Sequence, residues 1–319
     1  MKTSWKFIAN VSLSIVFLIF FIFLISKLDL ETSKELIKNI PFLTMALFVL
    51  FMFFSFLLKS KRFHILNTKL SFSKILKITM DHNFFLTFLP FRLGEVVYIR
   101  QLKKKGIGLK KSFSDLVLIR LFDVFVLAQF ALVSILITFN GAFAKKIAFI
   151  IILVIIFLFF LLFLDKLFSK IVKEFSKLFS GKGQHFFNKL DRLSKYFPNY
   201  NMSQRIALLF ISYLVWIFSF IPYVILLISL TNLSIFSILI VCIFALISSF
   251  IPINPPAGAG VVEAGWIFGF LFIGFSGDYP VLLSLTMHSA QLISLILIYI
   301  IFHIYYFGRH HLYRHLEDH

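Results

Sequence analysis

The chain has 319 residues, 60 % of them hydrophobic and only 14 % charged, with a mean hydropathy of +0.96. A soluble domain carries about a quarter charged residues, so the composition excludes a soluble globular protein. The net charge of +18 would suggest nucleic acid in a soluble chain, but here the basic residues cluster in loops between apolar runs, as the positive-inside rule requires.

In chain order, Lys2 and Lys6 precede an apolar run from Phe7 to Ile25 that is long enough to span a bilayer. Ser26-Lys27-Leu28-Asp29 offers no small-x-small cleavage site, so the run reads as an uncleaved first transmembrane helix rather than a signal peptide. Apolar spans fall at about 7–26, 41–58, 112–139, 145–164, 206–230, 235–252, 261–275 and 280–307. Eight such spans predict an all-α polytopic membrane protein, one domain over 1–319. The single cysteine, Cys242, lies in an apolar run, which excludes an internal disulfide and a cysteine-based metal motif.

Segment 72–100 departs from this pattern. Lys74, Lys77, Asp81, His82 and Asn83 precede Phe84–Pro90, and Arg92 and Glu95 follow. That is too polar for a lipid-facing span, and it predicts a re-entrant hairpin or a helix buried in the bundle. Basic loops flank it: Lys59, Lys61, Arg62, Lys69, Lys74 and Lys77 on one side, Arg100, Lys103, Lys104, Lys105, Lys110 and Lys111 on the other. Both clusters fall on one side of the membrane only if 72–100 enters and returns. The N- and C-termini are then both expected in the cytoplasm, with the chain in the cytoplasmic membrane.

Residues 166–200 read as an amphipathic helix pair at the cytoplasmic surface. Leu167, Ile171, Phe175, Leu178 and Phe179 recur at helical spacing, with Lys166, Lys170, Lys173 and Lys177 between them. The histidine-rich tail from His310 to His319 reads as solvated, with no metal expected there.

Two stretches break their own helices and place a carboxylate just after the break. The first holds Pro90 and Gly94, the second Pro252, Pro255, Pro256, Gly258 and Gly260. Proline removes a backbone donor, so the backbone at each break needs other partners, which at membrane depth means burial in protein or a wet cavity. Broken segments in corresponding places of two halves point to a transport site and suggest an inverted repeat. Phe-Leu-Pro then Gly-Glu in the first echoes Phe-Ile-Pro then Gly-Val-Val-Glu in the second.

Charges kept inside a membrane despite a cost of about 2.5–3.5 kcal/mol are functional candidates. Five stand out: Arg92, Glu95, Arg120, Asp123 and Glu263. Arg92 with Glu95 and Arg120 with Asp123 are each three apart and share a helical face. They read either as local ion pairs or as parts of a pocket whose arginines fork onto phosphate oxygens. Glu263 falls in the first turn of a restarted helix, as a capping carboxylate or beside amides that could cradle a phosphate. His288 and His303 in the last span carry little weight here.

Pro90-Phe91-Arg92-Leu93-Gly94-Glu95, Arg120-Leu121-Phe122-Asp123 and Pro255-Pro256-Ala257-Gly258-Ala259-Gly260-Val261-Val262-Glu263 occur in this order along the chain. Together they resemble the transmembrane region of lysylphosphatidylglycerol synthase, the flippase-like family. Two departures stand out: Phe91 replaces a usual glycine, and the second turn reads Asn-Pro-Pro-Ala-Gly rather than Pro-Gly-Gly. The first turn is therefore expected to be tighter or differently packed. The resemblance implies a lipid flippase fold with re-entrant segments. The aminoacyltransferase domain of the fused members is not in this sequence, so lipid aminoacylation is not expected of it.

The function expected is translocation of an anionic, aminoacylated or polyprenyl-phosphate-linked lipid between leaflets, without enzymatic activity or cofactor. Lipids with anionic or zwitterionic headgroups are the expected partners, beside a second copy or a lipid-synthesis enzyme. The alternative is a non-catalytic membrane scaffold for such an enzyme.

Overall fold

The computed structural model describes residues 40–139, 141–163, 165–178, 180–196, 200–249, 255–277 and 279–317, together with isolated positions before residue 40. The expected first span at 7–26 and the break residue Pro252 lie outside the described residues. Every regular element among the described residues is helical, the form in which an apolar segment satisfies its own backbone without water.

Among the described residues five helices are long and apolar enough to cross a membrane: α1 (Phe42–Leu66), α4 (Leu109–Thr138), α5 (Ala142–Phe163), α8 (Met202–Leu230) and α11 (Tyr279–Glu317). They coincide with five of the eight expected spans. Between α1 and α4 lie α2 (Phe72–Phe88) and α3 (Leu93–Lys104), joined by a 3-10 turn at Pro90–Arg92. The segment expected to break does so at the proline.

The spans expected at 235–252 and 261–275 are α9 (Ile235–Ser249) and α10 (Val261–Phe272), of 15 and 12 residues. At 1.5 Å per residue α10 is about 18 Å long, short of the roughly 30 Å hydrocarbon core. Residues 250–254 lie outside the described residues, and on either side of them α9 and α10 pack closely on each other as a second broken hairpin. A 3-10 turn at Pro256–Gly258 sits in the break.

In both hairpins glycine lets the two arms approach. A Cβ on Gly94 of α3 would lie 2.2 Å from the Leu86 backbone nitrogen of α2. A Cβ on Gly269 of α10 would lie 2.7 Å from Val241 Cα of α9, and one on Gly265 2.9 Å from Ala245 Cα. Gly265 and Gly269 are a G-x-x-x-G pair, the spacing at which membrane helices pack backbone to backbone.

The chain divides into two compact units. One holds residues 1–57, 77–97 and 218–319, the other 58–76 and 98–217. The first contains both broken hairpins from Lys77 onward and α11. Its core joins Phe48, Tyr223 and Trp266, with ring centroids 5.3 Å apart for Phe48–Tyr223 and 5.2 Å for Tyr223–Trp266. The second is built on α4, α5, the amphipathic segment and the first half of α8, with Leu102, Phe122, Val126, Leu208 and Val215 buried.

The amphipathic pair forms as α6 (Asp165–Lys177) and α7 (Lys182–Tyr196), packed on each other. Phe175 meets Phe187 at 6.2 Å, and the Ser169 hydroxyl donates to Asp191. Ile171 and Phe175 of α6, and Leu178 just beyond its end, remain exposed.

Candidate functional site: two proline turns and the buried charges

Each hairpin tip is built from a proline followed by two left-handed residues. Leu89 is extended (φ −89°, ψ 138°), as the residue before a proline is driven to be. Pro90 then opens the turn, and Phe91 and Arg92 both take φ 56°. In the second tip Pro255 is extended and Pro256 opens the turn, followed by Ala257 at φ 58° and Gly258 at φ 73°. Pro90-Phe91-Arg92 and Pro256-Ala257-Gly258 therefore share one backbone form, and the two turns touch within the unit that holds them. The structural likeness pairs Pro90 with Pro256; the Phe-Ile-Pro of the sequence echo, ending at Pro252, lies outside the described residues.

Phe91 takes the same backbone form as Ala257 of the second turn. It adopts the left-handed conformation that a glycine would take freely, which costs an L-residue roughly 1–2 kcal/mol. Beyond it α3 restarts, and Glu95 lies in its first turn, where the helix dipole favours an anion. Arg92 Nη2 meets Glu95 Oε1 at 2.9 Å, with both side chains partly exposed. The Arg92–Glu95 pair forms as its spacing predicts.

Glu263 is fully buried. Its Oε2 accepts from the Gly260 amide at 2.7 Å and its Oε1 lies 2.5 Å from His288 Nδ1. It is thus a capping carboxylate joined to α11, and neither Arg92 nor Arg120 is among these partners. The amides that could have cradled a phosphate are engaged internally: Gly258 donates to the Pro255 carbonyl, Ala259 to that of Pro256, and Gly260 to Glu263.

In the other unit, Asp123 is gripped by a residue that sequence spacing did not indicate. Arg62 Nη1 donates to Oδ1 at 2.5 Å and Nη2 faces Oδ2 at 3.4 Å. Trp216 Nε1 donates to Oδ1 at 3.0 Å. Arg120, the expected partner, stands at 3.8 Å with its side chain partly exposed. A buried carboxylate needs close, well-aligned donors, and Arg62 supplies the fork. By sequence alone Arg62 reads as a loop charge.

A second buried carboxylate in this unit, Asp115, accepts from Asn67 Nδ2 at 3.1 Å, Lys111 Nζ at 3.1 Å and the Tyr200 hydroxyl at 2.9 Å. Burial and the neighbouring Asp115 push the Tyr200 phenol well above its ordinary range. This cluster ties the start of α8 to α1 and α4. Among the described residues no group of three or more His, Cys, Asp or Glu is arranged to hold a metal ion.

Long apolar helices, two broken hairpins with matching tips and charges kept buried by pairing define a polytopic helical membrane protein. The chain belongs to the family of the lysylphosphatidylglycerol synthase TM region, whose profile matches residues 7–298. No curated protein and no solved structure matches it. The family points to a role connected with membrane lipids.

Proposed function

We propose that the protein moves a lipid with an anionic or zwitterionic headgroup between leaflets of the cytoplasmic membrane, without chemical change to the lipid. The observation that carries this reading is the meeting of two proline turns of the same backbone form, with the partly exposed Arg92 on one of them. Broken segments at membrane depth form where protein or water lines the path, and paired ones mark transport sites. Arg92, oriented by Glu95, presents a planar fork for phosphate oxygens. Arg120 offers a second guanidinium in its own unit, while Arg62 holds Asp123. Glu263 serves the substrate indirectly, by fixing the shape of its tip.

The acyl chains remain in the bilayer throughout. Both termini face the cytoplasm, and α6 and α7 lie on the inner surface, each lysine there adding about 1 kcal/mol of attraction to an anionic leaflet. The test is leaflet exchange in reconstituted vesicles with headgroup-labelled anionic, zwitterionic and lysyl-modified lipids and a polyprenyl-phosphate glycolipid. Selective exchange of one headgroup class over protein-free vesicles is expected. Absence of exchange for every lipid would reject translocation and leave the scaffold reading.

A further inference from the structure

Asp81 and His303 form a second acid–base site, buried on the aspartate side, in the unit that holds the hairpins. Asp81 is buried on α2, nine residues before the Pro90 turn, or about 13 Å along the helix. Lys77 Nζ donates to its Oδ2 at 2.8 Å, and the Tyr299 hydroxyl faces its Oδ1 at 3.3 Å. His303 of α11 closes the cluster. Its Nε2 lies 3.0 Å from Asp81 Oδ1, and its Nδ1 lies 2.9 Å from the Tyr299 backbone carbonyl.

The donor and acceptor arithmetic of His303 decides its chemistry. A carbonyl oxygen only accepts, so Nδ1 carries a proton. An ionised carboxylate also only accepts, so Nε2 must carry one too, unless Asp81 is itself protonated and donates to Nε2. Either arrangement holds one proton more than a neutral histidine beside an ionised aspartate. Removing that proton sets a nitrogen lone pair against an oxygen lone pair across one of these two contacts. The bond between α2 and α11 therefore depends on a bound proton.

Lys77, Tyr299 and His82 leave this requirement in place. Lys77 neutralises one oxygen of Asp81 and lies 6.0 Å from the Tyr306 ring, Tyr299 is a hydroxyl donor, and His82 adjoins Asp81 on α2. The second hairpin is joined to the same helix in a similar way, through Glu263 of α10 and His288 of α11. One long helix thus holds each broken hairpin by a histidine–carboxylate pair.

We infer that Asp81 and His303 form a proton-binding site whose occupancy links α11 to the first broken hairpin, coupling proton movement to the motion of that hairpin. The inference rests on the translocation reading for its purpose but not for its existence. A proton taken up from water closes the Asp81–His303 contact. Its return to water opens the contact and frees α2, and with it the turn that carries Arg92.

Two measurements on the full chain test it. The first is peptide-level hydrogen exchange across residues 77–88, corrected for the intrinsic pH dependence of amide exchange. Protection in the wild type should fall as pH rises, whereas in His303→Gln and Asp81→Asn it should be flat, because an amide N–H donates to the remaining partner without an added proton. Wild-type protection that does not change with pH would overturn the inference, whether or not either variant folds. The second is steady-state distribution of labelled lipid in vesicles under an imposed pH gradient. One proton per lipid shifts the ratio between leaflets by up to about tenfold per pH unit, and this shift should vanish in His303→Gln. Exchange that ignores the gradient, with flat protection, overturns the inference and spares translocation. Absence of exchange with pH-dependent protection removes translocation and upholds the proton site.

Discussion

Asp123 is held by Arg62, at 2.5 Å across a separation of 61 residues, and not by Arg120 three residues away, which stands at 3.8 Å. The pair joins α1 to α4, with Ser212 and Trp216 of α8 completing it. Removing one partner strands the other in a buried site at a cost of about 3–5 kcal/mol. Arg62→Met should therefore lower the thermal midpoint in detergent sharply. Arg120→Ala should cost under about 1 kcal/mol, since its side chain is partly exposed and its approach to Asp123 is loose. Equal losses in the two variants would contradict the assignment.

Phe91 sits at φ 56° in a turn that the other hairpin builds with Ala257. Phe91→Gly should raise stability by about 1 kcal/mol through relief of the left-handed strain, offset in part by the freedom glycine gains when unfolded. Phe91→Val should lower it, because a β-branched residue is the worst fit to that conformation. Thermal melts of the two variants with opposite signs are the expected result.

The hairpin arms depend on their glycines for approach. Gly269→Ala places a methyl 2.7 Å from Val241 Cα and should cost about 1–3 kcal/mol by overpacking. Gly308→Ala on α11 meets nothing within 4 Å and should be neutral or stabilising by up to about 1 kcal/mol, since alanine favours the helix. Melting both variants beside the wild type separates packing from propensity.

Glu263 fixes the second tip through the Gly260 amide. Glu263→Leu removes a charge-assisted acceptor and should cost about 1.5–3 kcal/mol. Glu263→Gln should cost less, because its amide oxygen still accepts from Gly260. Gel filtration and melting of the two would reveal the order.

The sequence made legible what is local. Pro90, Pro255 and Pro256 announce the breaks because proline forbids the helix to continue, and Arg92 finds Glu95 because three residues bring side chains onto one face. The five long spans follow from apolar length alone. The rest depends on packing between distant segments. Arg62 reads as one more loop charge until α1 extends through it to Leu66. His288 and His303 read as ordinary packing residues until Glu263 and Asp81 arrive, 25 and 222 residues away in the chain. The spacing Gly265-x-x-x-Gly269 takes its meaning only from the nearness of Val241.

The most direct test of the account compares the wild type with Arg92→Gln in leaflet exchange of an anionic headgroup-labelled lipid, both proteins being checked for equal folding by gel filtration. The account predicts rapid exchange by the wild type and its loss, by at least about tenfold, in the variant, because the tip guanidinium is the group that meets the phosphate. Equal exchange by the two proteins would contradict it.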